Sequence, residues 1–142
     1  MGIEIRKATW EDVQDIKKLL SYYILDTENV EKNLPEFIIA VSGGKVAGCA
    51  CLDIGKIVEL RSIAVLPGYR KKGIGSKLVE AILDRAANLK STVYLRTTSP
   101  GFFEKKGFKR LKNEEKKILW EDCADCDKFD ICRQAVMKID IA

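Results

Sequence analysis

The segment 70–76 combines three basic side chains with two glycines, which suits a negatively charged ligand. Gly73 and Gly75 let the backbone approach an anion closely, because neither residue carries a Cβ atom. A helix predicted to start here would add its free N–H groups and the positive end of its dipole. Arg70, Lys71 and Lys72 supply formal positive charge beside it. The spacing therefore predicts a phosphate-binding loop.

Two well-known phosphate motifs do not fit this segment. A Walker loop requires Gly-Lys-Ser/Thr after four spacers, whereas Gly73, the fifth residue after Gly68, is followed by Ile74. A dinucleotide fingerprint requires a small residue where Leu78 stands and glycines directly after a strand, whereas Pro67 opens an intervening stretch. The loop by itself leaves open the alternative that its glycines only shape the entry to a helix.

Composition restricts the class of protein. The 142 residues fit one domain, and 46% hydrophobic with 32% charged residues is typical of a globular protein. The net charge of +4 is spread along the chain, so we expect no nucleic-acid partner. We expect no membrane partner either, since no apolar run approaches the roughly 18–20 residues of a membrane span. The absence of histidine excludes His-based catalysis and His-rich zinc sites.

The five cysteines are an odd number, which argues against a closed disulfide framework and predicts a reducing, cytoplasmic location. Cys49 and Cys51 would share one face of a strand, so we expect them to pack in the core. Cys123 and Cys126 have a metal-ligand spacing, and Cys132 follows. A tetrahedral zinc site needs a fourth ligand and no histidine exists, so we expect no metal and a redox or structural role for these thiols.

The elements that must position these residues follow from hydrophobic periodicity. Short alternating or apolar runs predict strands, and apolar residues at intervals of three and four predict amphipathic helices. The pattern predicts one mixed α/β (α+β) domain over residues 1–142, in which 119–142 form a Cys-bearing segment that ends in a strand. The predicted strands are 3–7, 37–41, 46–52, 57–65, 92–96 and 135–141, and the predicted helices are 13–23, 26–34, 74–86 and 100–106.

Two blocks of the sequence resemble the motifs of the GNAT superfamily of N-acetyltransferases. The block 59–78 is similar to the central motif of that family, a basic residue or Gln, two spacers, Gly, one spacer, then Gly or Ala. The block 103–108 resembles the family's aromatic-x-x-x-Gly-Phe signature. The resemblance implies a GNAT acyl-CoA N-acyltransferase fold, a mixed central sheet with splayed strands flanked by helices. It also implies transfer of acetyl from acetyl-CoA to a primary amine.

The resemblance assigns functional residues to the central strand and to the glycine loop. Ile63, Ala64 and Val65 correspond to the strand whose exposed backbone pairs with the pantetheine arm, and N–H groups near Ala64 and Val65 would stabilise the oxyanion. Glu59 on the same strand is the candidate base or water-positioning carboxylate, unless it is a solvated residue paired with a lysine. The residues implied for the pyrophosphate are Arg70, Lys71, Lys72, Gly73, Ile74, Gly75 and Ser76.

One position departs from the family pattern. Many members have a tyrosine at the position of Phe103, whose hydroxyl protonates the leaving thiolate. Phenylalanine cannot do so, although a thiol with a pKa of about 8.5 is already a fair leaving group. The remaining tyrosines are Tyr22, Tyr23, Tyr69 and Tyr94, and their spacing does not choose among them.

The stretch 95–104 and the cysteine-bearing tail resemble short amino-acid acetyltransferases of the N-acetylglutamate synthase type. This resemblance implies an amino-acid acceptor such as glutamate, for which Arg61 and Arg96 are candidate carboxylate clamps by position only. Surface or structural roles are the alternative for both arginines. Acetylation of another small amine or of a protein N-terminus or lysine stays open, as do a non-catalytic acyl-CoA-binding regulator and a homodimer.

Overall fold

The computed structural model describes residues 2–23, 25, 27–69, 73–89, 91–120 and 134–141. Its strands are β1 Ile3–Lys7, β2 Phe37–Ser42, β3 Lys45–Ile54, β4 Val58–Val65, β5 Val93–Thr97, β6 Lys109–Arg110 and β7 Ala135–Ile139. Its helices are α1 Val13–Tyr22, α2 Ile74–Leu89, α3 Pro100–Glu104 and α4 Glu115–Leu119, with short 3-10 turns at Trp10–Asp12, Leu34–Glu36 and Pro67–Tyr69. None of the described helices combines the length and apolar character needed to cross a membrane.

The described strands form one mixed sheet of seven strands in the order β1-β2-β3-β4-β5-β7-β6. Antiparallel pairing connects β1 through β4, whereas β4 and β5 run parallel. In the described part of the chain, β4 and β5 pair only at Val58 with Val93 and at Glu59 with Tyr94. The two strands therefore separate beyond Glu59, and the edge of β4 that faces β5 is open from that point.

Alternation along the strands builds a core on each face of the sheet. Ile38 and Ala40 of β2 pack in the cluster that includes α2, whereas Phe37 and Ile39 pack in the cluster that includes α1. Successive strand residues point to opposite faces, so one apolar strand supplies both clusters. Each fully buried aliphatic side chain contributes about 1.5–3 kcal/mol relative to an exposed one. The two helices are thereby fixed on opposite faces of the sheet.

Gly48 of β3 allows the first turns of α2 to pack closely on the sheet. A Cβ atom there would lie 3.1 Å from the Ala64 carbonyl oxygen, from Ile74 Cγ2 and from Leu78 Cδ1. Such distances are tighter than ordinary van der Waals contact, so a larger residue would push α2 away from β4. The close packing places the start of α2 beside the open part of β4.

The helix predicted for 26–34 is wrong in the described residues 27–34, which form turns that lead into the 3-10 turn Leu34–Glu36. A single α-type hydrogen bond runs from the Asn33 N–H to the Asn29 carbonyl at 3.0 Å. Val30 and Leu34 are buried against the α1 cluster, one turn apart. Two buried side chains one turn apart stabilise a single turn, but they do not stabilise a longer helix, and asparagine is a weak helix former. The prediction also missed β6, which is too short to show a period, and α4.

Cys49 and Cys51 are buried in the α1 cluster, which confirms their predicted place in the core. Burial raises the pKa of each thiol to about 12, so both stay protonated at neutral pH and neither is suited to act as a nucleophile. Cys123, Cys126 and Cys132 lie outside the described residues. Within the described ranges, no three His, Cys, Asp or Glu side chains are grouped as metal ligands.

Candidate active site

A cleft of about 910 Å³ lies where β4 and β5 separate. Residues 59–65 of β4 form one wall, residues 95–99 of β5 and its following loop form another, and the start of α2 closes one end. Tyr23 from the end of α1 and the phenylalanines of α3 complete the lining. Volumes of roughly 300–1,000 Å³ are usual for small-molecule sites. The splayed strands thus create a cavity of a size that suits a substrate.

The start of α2 presents backbone amides to this cleft. Gly73, Ile74, Gly75 and Ser76 all line it, and the first helical hydrogen bond runs from the Lys77 N–H to the Gly73 carbonyl at 3.1 Å. The N–H groups of the first helical residues have no partner within a helix, so they can receive an anion. Gly73 has a φ of +76°, a conformation that glycine adopts without strain.

The predicted loop is thus only partly described. Arg70, Lys71 and Lys72 lie outside the described residues, whereas the other four residues predicted for the pyrophosphate lie together at the cleft. Their arrangement has the open backbone that an anion site requires. The assignment of all seven residues to the pyrophosphate stays a prediction.

A β-bulge distorts β4 in the middle of the cleft wall. The pairing with β3 passes from Cys49–Ala64 to Cys51–Arg61, so Ser62 and Ile63 together oppose one residue of β3. Ser62 has a φ of 57°, which is rare for a residue other than glycine. Bulges and such strained backbone are concentrated near functional sites, where they redirect a strand. Here the bulge changes which backbone groups of β4 point into the cleft.

Beyond the bulge, alternate residues of β4 face opposite edges of the strand. The Leu66 N–H donates to the Ala47 carbonyl at 2.8 Å, so the amides of Leu66 and of Ala64, two residues earlier, face β3. The backbone groups of Val65 face the cleft instead, and the Tyr23 hydroxyl donates a hydrogen bond to the Val65 carbonyl. This alternation favours Val65 over Ala64 as an oxyanion donor, although Ile63, Ala64 and Val65 all line the cleft.

Glu59 is buried at the point where β4 leaves β5. The Trp120 indole N–H donates to Glu59 Oε1 at 3.0 Å, and Arg96 Nη2 lies 3.5 Å from Glu59 Oε2. Arg61 Nε lies 3.9 Å from Oε1. Burial raises the pKa of Glu59, although the indole hydrogen bond and the two arginines oppose this by favouring the ionised form. Glu59 is therefore neither solvated nor paired with a lysine, and its higher pKa suits a general base.

Arg61 and Arg96, which come from different strands, both line the cleft beside Glu59. Arg61 Nη1 donates to Asp53 Oδ2 at 3.0 Å, and 41% of its side chain is exposed. Arg96 lies deeper, with 14% of its side chain exposed, and its guanidinium carbon is 4.5 Å from the centre of the Trp120 ring. The structure thus brings together the predicted base and both predicted clamps.

Trp120 is the functional candidate that sequence reasoning missed. It follows α4, is 6% exposed, and packs with Val136 of β7. Its contact with Glu59 joins residues that are 61 positions apart in the sequence. It lies in the cysteine-bearing segment 119–142, whose resemblance to amino-acid acetyltransferases assigned it no role, and no hydrophobic period marked it.

The tyrosines differ in their access to the cleft. Phe103 is buried and lines the cleft, but phenylalanine has no hydroxyl to donate a proton. Tyr23 and Tyr69 also line the cleft. Tyr22 is exposed, and Tyr94 packs in the small cluster around Trp120. Among the tyrosines, Tyr23 and Tyr69 are therefore the candidates to replace the missing acid.

Comparison with known sequences links this architecture to acetyltransferases. The model of the acetyltransferase (GNAT) family matches residues 3–108. An uncharacterized N-acetyltransferase of Chlorobaculum tepidum is 31% identical over 146 residues, covering 94% of this chain and 93% of the relative. An amino-acid acetyltransferase of Mycobacterium tuberculosis is 32% identical over 124 residues, covering 76% of this chain and 69% of the relative.

Solved structures share the fold at lower identity. Rv2747 of Mycobacterium tuberculosis, in complex with CoA and NLQ, superposes with a TM-score of 0.83 and 24% identity, covering 98% of this chain and 99% of that one. N-acetylglutamate synthase of Neisseria gonorrhoeae, complexed with coenzyme A and N-acetyl-glutamate, has a TM-score of 0.82 and 21% identity. This chain is covered completely in that match but spans only 36% of the Neisseria protein. At such identities the likeness is one of fold.

Proposed function

This chain belongs to the GNAT acetyltransferase family, and we propose that its acetyl acceptor is the α-amino group of a small amino acid, glutamate being the first candidate. Membership confirms the predicted fold and reaction class: the protein is an acetyl-CoA-dependent N-acetyltransferase. The observation that carries the acceptor proposal is the pair Arg61 and Arg96 beside the buried Glu59. The amino-acid acetyltransferases among the relatives support it.

Acetyl-CoA is the co-substrate, and it supplies a thioester carbonyl that an amine can attack. The described residues fit this ligand, since an open strand edge and the amides of a helix start lie along one cleft. In our proposal, Ile63, Ala64 and Val65 line the site of the pantetheine arm. The described Gly73, Ile74, Gly75 and Ser76, together with Arg70, Lys71 and Lys72, hold the pyrophosphate.

Each catalytic role is assigned to a group that lines the cleft. Glu59 removes a proton from the acceptor's ammonium, directly or through a water molecule, so that the amine becomes nucleophilic. The Val65 N–H donates to the carbonyl oxygen on which negative charge develops. Tyr23, which lines the cleft with its hydroxyl against the Val65 carbonyl, is the proposed proton donor to the departing thiolate, and the proton that the attacking nitrogen loses restores the hydroxyl.

The charges around the cleft match a zwitterionic amino acid. An α-carboxylate placed between Arg61 and Arg96 would receive charge-assisted hydrogen bonds, for which the guanidinium group is well shaped. The ammonium attached to the same carbon would then lie near the Glu59 carboxylate, which contacts both arginines. A lysine side chain or a protein N-terminus has no carboxylate beside its amine. The geometry therefore favours a free amino acid over a protein acceptor.

Thiol release from acetyl-CoA across a panel of amines tests the acceptor class. We expect glutamate or another amino acid to exceed its decarboxylated counterpart by about tenfold or more in kcat/KM, because the counterpart loses a charged hydrogen-bond partner. For glutamate that counterpart is 4-aminobutyrate. Faster acetylation of peptides with a free N-terminus or lysine than of every amino acid would contradict the proposal.

Arg61→Gln is expected to raise KM for the amino acid about 10- to 100-fold, since a hydrogen bond to a charged group contributes about 1.5–3 kcal/mol. The KM for acetyl-CoA should change little. The kcat/KM with 4-aminobutyrate should also fall little, because this acceptor lacks the α-carboxylate. Arg110→Gln is the matched control, since Arg110 is exposed and bound to Glu104 at 3.3 Å. An equal loss with glutamate and 4-aminobutyrate would show that Arg61 does not bind the α-carboxylate.

A further inference from the structure

Trp120 contacts two of the groups on which the proposed chemistry depends. Its indole N–H donates to Glu59 Oε1 at 3.0 Å, and the Arg96 guanidinium carbon lies 4.5 Å from the centre of its ring. Trp120 lies beyond residues 3–108, the part of the chain that the family model matches. The C-terminal part of this chain thus contacts two residues that line the cleft, Glu59 and Arg96.

We propose that Trp120 is a positioning residue, whose N–H orients the Glu59 carboxylate while its ring holds Arg96 in place. One rigid side chain would then set the distance between the base and the carboxylate clamp. The inference rests on the proposed function only for the roles of Glu59 and Arg96, since the contacts themselves do not depend on the acceptor.

The backbone hydrogen bond and the side-chain packing of Trp120 suit this role. Its backbone N–H donates to the Lys116 carbonyl at 2.9 Å, which ties it to α4. Its ring packs with Val136 of β7, and Leu111 and Leu119 pack against the same small cluster. A side chain held by a helix and a strand has few alternative rotamers, so its N–H and its ring face have fixed directions.

A neutral donor affects Glu59 differently from a further cation. The charged groups that act on Glu59 are Arg96 of β5, Arg61 of β4 and Asp53 of β3. Without the indole, only the arginines at 3.5 and 3.9 Å would hold the carboxylate, so its direction toward the acceptor would no longer be fixed. The indole N–H fixes one oxygen without adding charge, and the other oxygen faces Arg96 at 3.5 Å.

Trp120→Phe separates the N–H from the ring, because phenylalanine keeps an aromatic face for Arg96 but has no donor. We expect kcat to fall about tenfold, as for the loss of one hydrogen bond to a charged group. The acid limb of the kcat/KM profile should move to higher pH, since the lost hydrogen bond favoured the ionised carboxylate. Trp120→Leu removes the ring as well and should additionally raise KM for the amino acid.

Trp10→Phe is the matched control, because Trp10 is 69% exposed and the chain contains two tryptophans. It should leave kcat, KM and the pH profile unchanged. It also leaves Trp120 as the sole tryptophan, so the emission of this variant reports on the surroundings of Trp120. We expect that emission to titrate with the midpoint of the acid limb, and to lose the titration when Glu59→Gln is added.

The fluorescence titration needs no acceptor, so it separates this inference from the proposed function. A titration that depends on Glu59 supports the contact even if no amino acid is acetylated. If Trp120→Phe fails to fold, the titration in Trp10→Phe still tests whether the Glu59 carboxylate acts on Trp120. The proposal would be overturned if the pH titration of the emission were the same with and without Glu59→Gln. It would also be overturned if a folded Trp120→Phe kept the parent's kcat and pH profile, because Trp120 would then be only a core residue.

Discussion

Glu59→Gln is expected to lower kcat with the amino-acid acceptor by about 10²–10⁴, the usual contribution of a general base. Glutamine has the shape of glutamate and can still accept the Trp120 hydrogen bond through its carbonyl, but it cannot take up a proton at neutral pH. The affinity for CoA should be unchanged, because Glu59 lies on β4 before the segment proposed to bind the cofactor. Steady-state kinetics and calorimetric titration with CoA provide the two measurements.

The pH dependence gives this prediction a sign. Burial raises the pKa of Glu59, so the parent enzyme should lose activity as pH falls through a value above the roughly 4.3 of an ordinary glutamate. In Glu59→Gln that acid limb should disappear, leaving a rate that follows the fraction of free amine. The deficit should therefore shrink as pH rises toward the pKa of the acceptor's amine.

Glu104→Gln is the control for the change of charge, since Glu104 is exposed on α3 and bound to Arg110. It should keep the parent's kcat. A Glu59→Gln deficit that stays constant where the amine is already deprotonated would mean that Glu59 acts in some way other than as a base. A weakened affinity for CoA would point instead to a disturbed fold of β4.

Gly73→Val is expected to raise Kd for CoA about tenfold or more, because the left-handed conformation costs a residue with a side chain roughly 1–2 kcal/mol. Gly73 has a φ of +76°, and a Cβ atom there would meet nothing within 4 Å. The penalty is therefore conformational and not a clash with the protein. Valine must either bear that strain or shift the loop, which would turn the amides of Ile74 and Gly75 away from the cleft.

Gly68→Val is the matched control for the glycine loop. Gly68 is exposed in the 3-10 turn Pro67–Tyr69, an added Cβ would meet nothing within 4 Å, and its φ lies outside the left-handed region. Calorimetric titration should give the parent's Kd for this variant. An unchanged Kd in a folded Gly73→Val would remove the loop from the proposed pyrophosphate site.

Much of the fold could be predicted from local pattern. The apolar run of Phe37, Ile38, Ile39 and Ala40 predicted β2, and the structure divides these residues between the two faces of the sheet. The apolar face of α2 and the glycines before it were equally clear. The helix prediction was wrong for 27–34 because the polar residues of this segment are compatible with a helix. Only the tertiary contacts show that a single turn is enough to bury Val30.

Local sequence pattern predicted most of the elements, the glycine loop and the two motifs, because each depends on neighbours within a few residues or turns. The tertiary structure decided how the site is assembled. Glu59 meets Arg96 because β5 lies beside β4, and it meets Trp120 because the chain returns 61 positions later. The bulge at Ser62 and the separation of β4 from β5 decide that Val65 faces the cleft. These contacts depend on strand order and register. Both are set by interactions between residues that are distant in the sequence, so a local hydrophobic pattern does not predict them.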